Sequence, residues 1–200
     1  MGIASAEPAV VGNLVARVMA TTPDGQHGQV LFLKRCARCH GVEGWGNGIK
    51  EIPAVAGQRD LYIISQLAAF ETLERNGSAM HRATQTADIG NPQAIRDLAA
   101  FLSKASPAPN PDHGDGRKLA TGEKMFQSQC ALCHGAHAEG SPDEPIPSLA
   151  GQHYSYIMVQ LKSFAEGHRG QVEPPVIDFT AGLSVDQRQA IADYLSRLQK

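Results

Sequence analysis

The chain has 200 residues, 42% of them hydrophobic, which is enough for one large globular domain or two small ones. Its formal net charge of −2 gives no electrostatic case for nucleic acid or an anionic membrane surface. No apolar run approaches the roughly 20 residues that span a bilayer.

Ala9 to Ala20 is apolar but broken by Asn13 and Arg17, which predicts a short amphipathic helix. It lies in an extension, residues 1–23, that either packs on the first domain or stands off as an arm. A second helix is predicted over Gly28 to Arg35, with Val30, Leu31 and Lys34 spaced for one apolar and one wet face. It delivers Cys36-Ala37-Arg38-Cys39-His40. C-x-x-C-H is the attachment signature of a c-type haem. Two thiols add across the two vinyl groups of the ring, and the next residue, His40, is placed to be the proximal iron ligand. The motif recurs as Cys130-Ala131-Leu132-Cys133-His134, which makes His134 a second proximal ligand. Together the two copies use all four cysteines of the chain. A redox dithiol, a zinc site assembled from both halves and a pair of disulfides are the rival readings of the cysteines. None of them explains both histidines.

A Gly-rich loop, Gly41 to Gly48, follows the first motif and contains Trp45, read as packing. The carbonyl of Pro53 is free to accept a hydrogen bond from the His40 imidazole, or Pro53 simply shapes a turn; both readings stand. Arg59 to Phe70 is predicted helical, and the loop Glu71 to Gly90 is where a distal ligand belongs. The last helix of this half opens on Asn91-Pro92, an N-cap followed by proline at the first helical position. Ile95, Leu98, Ala99 and Leu102 mark its apolar face.

Positions 36 and 130 differ by 94, and the same offset matches Gly28 with Gly122, Ile52-Pro53 with Ile146-Pro147, and Ala56-Gly57-Gln58 with Ala150-Gly151-Gln152. Tyr62, Gln66, Phe70 and Arg75 likewise match Tyr156, Gln160, Phe164 and Arg169, and only towards the C-termini does the offset slip to 96. Two copies mean two tandem domains. The expected division is the extension 1–23, a first domain 24–103, a Pro-rich connector 104–115 and a second domain 116–200. Each domain is small for a core of side chains alone, and a buried haem would supply the missing apolar mass. In the second domain Gly122 to Gln129 and His153 to Phe164 are predicted helices, and Ser184-Val185-Asp186-Gln187 is a capping box before a face of Ile191, Tyr194, Leu195 and Leu198. The expected fold is all-α.

The two C-x-x-C-H-G motifs, the repeated I-P-x-x-A-G-Q with its Tyr- and Leu-bearing helix, and Ala181-Gly182-Leu183-Ser184 before the last helix resemble the dihaem cytochrome c4 family. The resemblance runs from about residue 25 onward. It implies two class I cytochrome c-type domains related by pseudo-two-fold symmetry, each enclosing a covalently bound haem c. It also implies electron transfer between redox protein partners in a periplasmic respiratory chain. Covalent haem attachment takes place on the oxidising side of a membrane, so a removed leader is expected. Peripheral association with membrane respiratory complexes stays open.

The family's sixth ligand is a methionine in the loop before the last helix. Of the five methionines, Met125 and Met158 match Leu31 and Ile64 and read as core, Met19 lies in the extension, and Met80 alone sits in a distal loop. Met80 is assigned to the first haem, with His81 as rival. The second half has no methionine between Gly167 and Leu183. At constant offset Met80 aligns with Pro174, while the family position falls on Val176 or Phe179. The second haem is then either five-coordinate or takes an unusual ligand, His168 being the nearest candidate. Cysteine ligation is excluded because no cysteine is left over. The alternative functions are a haem enzyme or gas-binding protein built on that second haem, with Glu173, Asp178 or His168 as acid–base help, and a cytochrome subunit of a dehydrogenase or oxidase.

Overall fold

The computed structural model describes residues 8–170 and 174–200, and among these every regular element longer than a single turn is an α-helix. The first half runs α1 (Pro8–Met19), α2 (Gly25–Arg35), α3 (Ala37–His40), α4 (Asp60–Glu71), α5 (Ser78–Thr84) and α6 (Pro92–Leu102). The second runs α7 (Leu119–Gln129), α8 (Ala131–His134), α9 (Tyr154–Ala165), α10 (Pro174–Ala181) and α11 (Val185–Arg197). Without α1 the α-helices of the halves match one for one, as the repeat requires.

Local chemistry sets the helix starts. The Asp24 side chain accepts the Gln26 and His27 N–H groups at the head of α2. Asn91 accepts the Ala94 N–H at 3.0 Å ahead of Pro92. Ser184 and Gln187 form the capping box in both directions, at 3.2 and 2.8 Å. The predicted distal loops each fold into a short helix, α5 and α10, rather than staying irregular.

In each half the helix that delivers the attachment motif, α2 or α7, crosses the last helix at a glycine. A Cβ on Gly28 would lie 2.0 Å from the Asp97 carbonyl oxygen of α6, and one on Gly122 would lie 2.0 Å from the Ala190 carbonyl oxygen of α11. Backbone therefore meets backbone, and the crossing decides which face of α2 is buried. Leu31 and Phe32 are buried there, while Val30 is 61% exposed, so its expected place on the apolar face is corrected. Beside each crossing a buried carboxylate ties down the chain that leads into the first helix. Asp97 accepts the Asp24 N–H at 2.7 Å and pairs with His27 Nδ1 at 2.7 Å. Asp193 accepts the Gly114 and Gly116 N–H groups at 3.0 and 2.7 Å.

Over its described residues, from Pro8 on, the extension packs on the first domain. Helix α1 packs against α4 and α6, and Val18, fully buried, joins Ile64, Ile95 and Leu98 in the first core. The connector is pinned rather than free. Trp45 Nε1 donates to the Ser106 carbonyl at 2.9 Å, and the Asp112 carboxylate accepts the Ser155 N–H at 3.1 Å and lies 2.7 Å from His153 Nδ1. Trp45 thus has a hydrogen-bonding role beyond packing, and its own carbonyl accepts His153 Nε2 at 2.8 Å.

The halves dock through two glutamines. Gln152 Oε1 accepts the Ala54 N–H at 2.9 Å while its Nε2 donates to the Ala54 carbonyl at 2.8 Å. Gln58 does the same to Ser148, accepting its N–H at 2.8 Å and donating to its carbonyl at 2.9 Å. Ala54 and Ser148 are themselves 94 positions apart, so the contact has the pseudo-two-fold symmetry expected of the repeat.

Gly28→Ala is expected to lower stability by roughly 1–3 kcal/mol through overpacking at the α2–α6 crossing. Gln152→Leu leaves the buried Ala54 N–H and carbonyl unpaired, at about 1–3 kcal/mol for each group. Urea denaturation of the intact protein followed by circular dichroism reads both, and an unchanged midpoint for Gln152→Leu would show that docking does not depend on that amide.

Candidate haem sites and the interface between them

Each attachment motif is split by its own geometry. Cys36 ends α2 and Cys130 ends α7, and each packs against the core of its half, whereas Cys39 and Cys133 one turn on are exposed. No two of the four are bridged to each other. Burial, with a smaller push from the neighbouring cysteine, raises the Cys36 and Cys130 thiols to about 11. Among the described residues no group of three or more His, Cys, Asp or Glu comes together to hold a metal ion, so the zinc reading fails.

The motif histidines have the arrangement an iron ligand needs. His40 Nδ1 lies 3.0 Å from the Pro53 carbonyl oxygen, and His134 Nδ1 lies 3.1 Å from the Pro147 carbonyl oxygen. A carbonyl can only accept, so Nδ1 carries the proton and Nε2 keeps its lone pair. Of the two readings of Pro53, the hydrogen-bonding one holds, and it holds in both halves. Burial pushes both imidazoles below their ordinary value, with the proline carbonyl pulling the other way. Gly41 at φ 78° and Gly135 at φ 82° turn the chain directly after each histidine in a conformation that favours glycine. The Gly46 N–H then closes back on the His40 carbonyl at 2.8 Å, and the Gly140 N–H on the His134 carbonyl at 2.7 Å. Two thiols seated on the cores, two exposed ones and two imidazoles with Nε2 free make a donor set that fits two covalently attached haems. Cys36, Cys39 and His40 would hold one, and Cys130, Cys133 and His134 the other.

Met80 and His81 both lie on α5 and are both partly buried. His81 Nδ1 is tied to the Phe70 carbonyl at the end of α4, at 2.7 Å. His168 sits after α9 with its side chain 71% exposed and its Nδ1 3.2 Å from Glu166 Oε2. Asp178 is exposed on α10, and Glu173 lies outside the described residues.

Sequence reasoning matches several polar residues across the repeat without giving them a role, and these form a buried knot between the halves. Arg75 donates to Gln66 Oε1 at 2.6 Å and, across the interface, to the Tyr156 hydroxyl at 3.0 Å. Arg169 reciprocates, donating to Gln160 Oε1 and across to the Tyr62 hydroxyl at 2.7 Å. Each guanidinium also stacks on a ring of its own half, Arg75 at 4.5 Å from the Phe70 centroid and Arg169 at 4.8 Å from that of Phe164. Burial raises the Tyr62 phenol, but the two guanidiniums outweigh it and hold the group below its ordinary value. The signal that could have found this knot is its doubling. Tyr, Gln, Phe and Arg recur at one offset, and surface residues have no physical reason to keep such a pattern.

The cytochrome c family profile matches residues 25–106 and 119–199. A cytochrome c4 of Azotobacter vinelandii is 28% identical over 179 residues, covering 82% of this chain and 84% of that one. A thiosulfate dehydrogenase electron acceptor of Thiomonas intermedia is 31% identical over 172 residues, covering 80% and 77%. The crystal structure of reduced cytochrome c4 from Pseudomonas stutzeri superposes with a TM-score of 0.73 at 27% identity, covering 89% of this chain and all of that one. With two attachment motifs, two proline-oriented histidines and this likeness along both halves, the chain belongs to the cytochrome c family, as a dihaem electron-transfer protein of the cytochrome c4 group with two covalently bound haem c.

Proposed function

We propose that this protein carries single electrons between a donor and an acceptor protein in the periplasm, entering and leaving through its two haems, with Met80 closing the first. The observation that carries the reading is the duplicated His–proline carbonyl bond, which presents a fixed imidazole lone pair in each half. Bound haem supplies the one-electron couple. The chain's own part is to keep that couple from reorganising. Pro53 and Pro147 fix the imidazole planes, Cys36 and Cys130 seat the rings against the cores, and the glutamine docking holds the halves at a constant separation. A rigid, dry surrounding favours electron transfer over chemistry on a substrate.

The name of the Thiomonas relative, an electron acceptor for a dehydrogenase, supports a donor of that class. No helix among the described residues is long and apolar enough to cross a membrane. The small patch of a transient redox encounter suffices for either partner.

Met80 lies one turn before Thr84, which is fully buried, so the two share a face of α5 that turns inward. His81 is held instead by the end of α4. Met80→Ala is expected to abolish the methionine-to-iron charge-transfer band and to lower the midpoint potential of one haem, whereas His81→Ala leaves the band in place. Visible absorption of the ferric protein and a redox titration read both variants, and a band that survives Met80→Ala would sink the ligand assignment.

A further inference from the structure

The register of the two distal helices is set by a pair of buried threonines. Thr84 is fully buried on α5 and donates its hydroxyl to the His81 carbonyl at 2.9 Å. Thr180 is 2% exposed on α10 and donates to the carbonyls of Val176 and Ile177, at 2.7 and 3.1 Å. These threonines are 96 apart, as are the buried pairs Ile95 and Ile191, and Asp97 and Asp193. Arg75 and Arg169 are still 94 apart, so two residues are gained between Arg169 and α10. The constant-offset alignment of Met80 with Pro174 is therefore corrected. The residue in Met80's place is Val176, and Ile177 stands in that of His81.

Valine has no lone pair to give, and the methionines and histidines of the second half are placed elsewhere. Met125 and Met158 pack on the core, at positions that Leu31 and Ile64 fill in the first half. His153 is 7% exposed and spends both ring nitrogens at the interface, on Asp112 and the Trp45 carbonyl. His137 is exposed three residues after His134, and His168 faces solvent beside Glu166. Gln171, Val172 and Glu173, outside the described residues, carry neither sulfur nor imidazole.

We propose that the second haem has no protein ligand opposite His134, and that this position is a binding site for neutral diatomic π-acceptors such as carbon monoxide or nitric oxide. The residues around α10 set the class of ligand. Phe179 packs against the second core, Val176 and Ile177 are half-buried, and the one buried hydroxyl of α10, that of Thr180, is already given to its own helix. No described group on α10 is placed to donate a proton to a bound peroxide or to stabilise a charged ligand. A wall of this kind suits a ligand held by the reduced iron alone, and distal polarity is what separates binding from activation. The proposal rests on the presence of haem in the second half, and only its stoichiometry depends on Met80 closing the first.

The test is a carbon monoxide titration of the fully reduced holoprotein, read by the Soret band, beside electron paramagnetic resonance of the ferric form. One carbon monoxide per chain and a high-spin signal from one haem are expected. Val176→Met should bring uptake to zero, convert the high-spin signal to low spin and add a second methionine charge-transfer band. His168→Ala should leave uptake unchanged. Two equivalents per chain, of which Val176→Met removes one, would uphold the open second site and overturn the Met80 assignment instead. No uptake by the wild-type protein, with both haems low-spin, overturns the proposal. Uptake that appears only in His168→Ala overturns it as well and makes His168 the ligand.

Discussion

The proline carbonyl that receives each motif histidine is the constraint on which the rest of the molecule depends. It fixes which nitrogen of His40 or His134 keeps a lone pair and how the ring is turned. The very next residue, Ala54 or Ser148, has both backbone groups taken by a glutamine of the opposite half. One short segment thus orients a motif imidazole with one carbonyl and docks a domain with the adjoining peptide groups. The segment cannot shift for one purpose without disturbing the other.

Much of this is legible in the sequence, for reasons that differ by residue. The attachment motifs are readable because the covalent chemistry permits few alternatives at Cys36, Cys39 and His40. The caps at Asn91 and Ser184 are readable because their partners lie three residues away. The glutamine docking is not readable in that sense. Gln152 meets a residue 98 positions distant and Gln58 one 90 positions distant, and nothing local points there. Spacing misjudges Val30 because it gives a helix face but not its direction, which here the glycine crossing at Gly28 imposes. A constant offset misplaces the counterpart of Met80 because the two extra residues fall in a stretch without repeated landmarks, and the burial of Thr84 and Thr180 restores the register.

The duplication has been kept where it carries structure and released where it tunes a haem. Proline carbonyl, docking glutamine, stacked arginine and crossing glycine all occur in both halves. The distal helices α5 and α10 differ in length and carry Met80 and Val176 at matching places. Two nearly congruent frames can therefore hold centres of unlike ligation. Under the proposed ligation, a difference between the two haems would give direction to an electron that passes between them.

The crossed arginines have a consequence for how the molecule can change. Arg75 is satisfied partly by Tyr156, and Arg169 partly by Tyr62, so each half supplies the groups that make the other's buried charge tolerable. Neither half is a finished object by itself. A domain of this pair could not be exchanged for that of an unrelated monohaem cytochrome without stranding a guanidinium in the seam. Substitutions in one half are thereby filtered by the other, and the two halves are bound to a shared history long after their distal sides have gone separate ways.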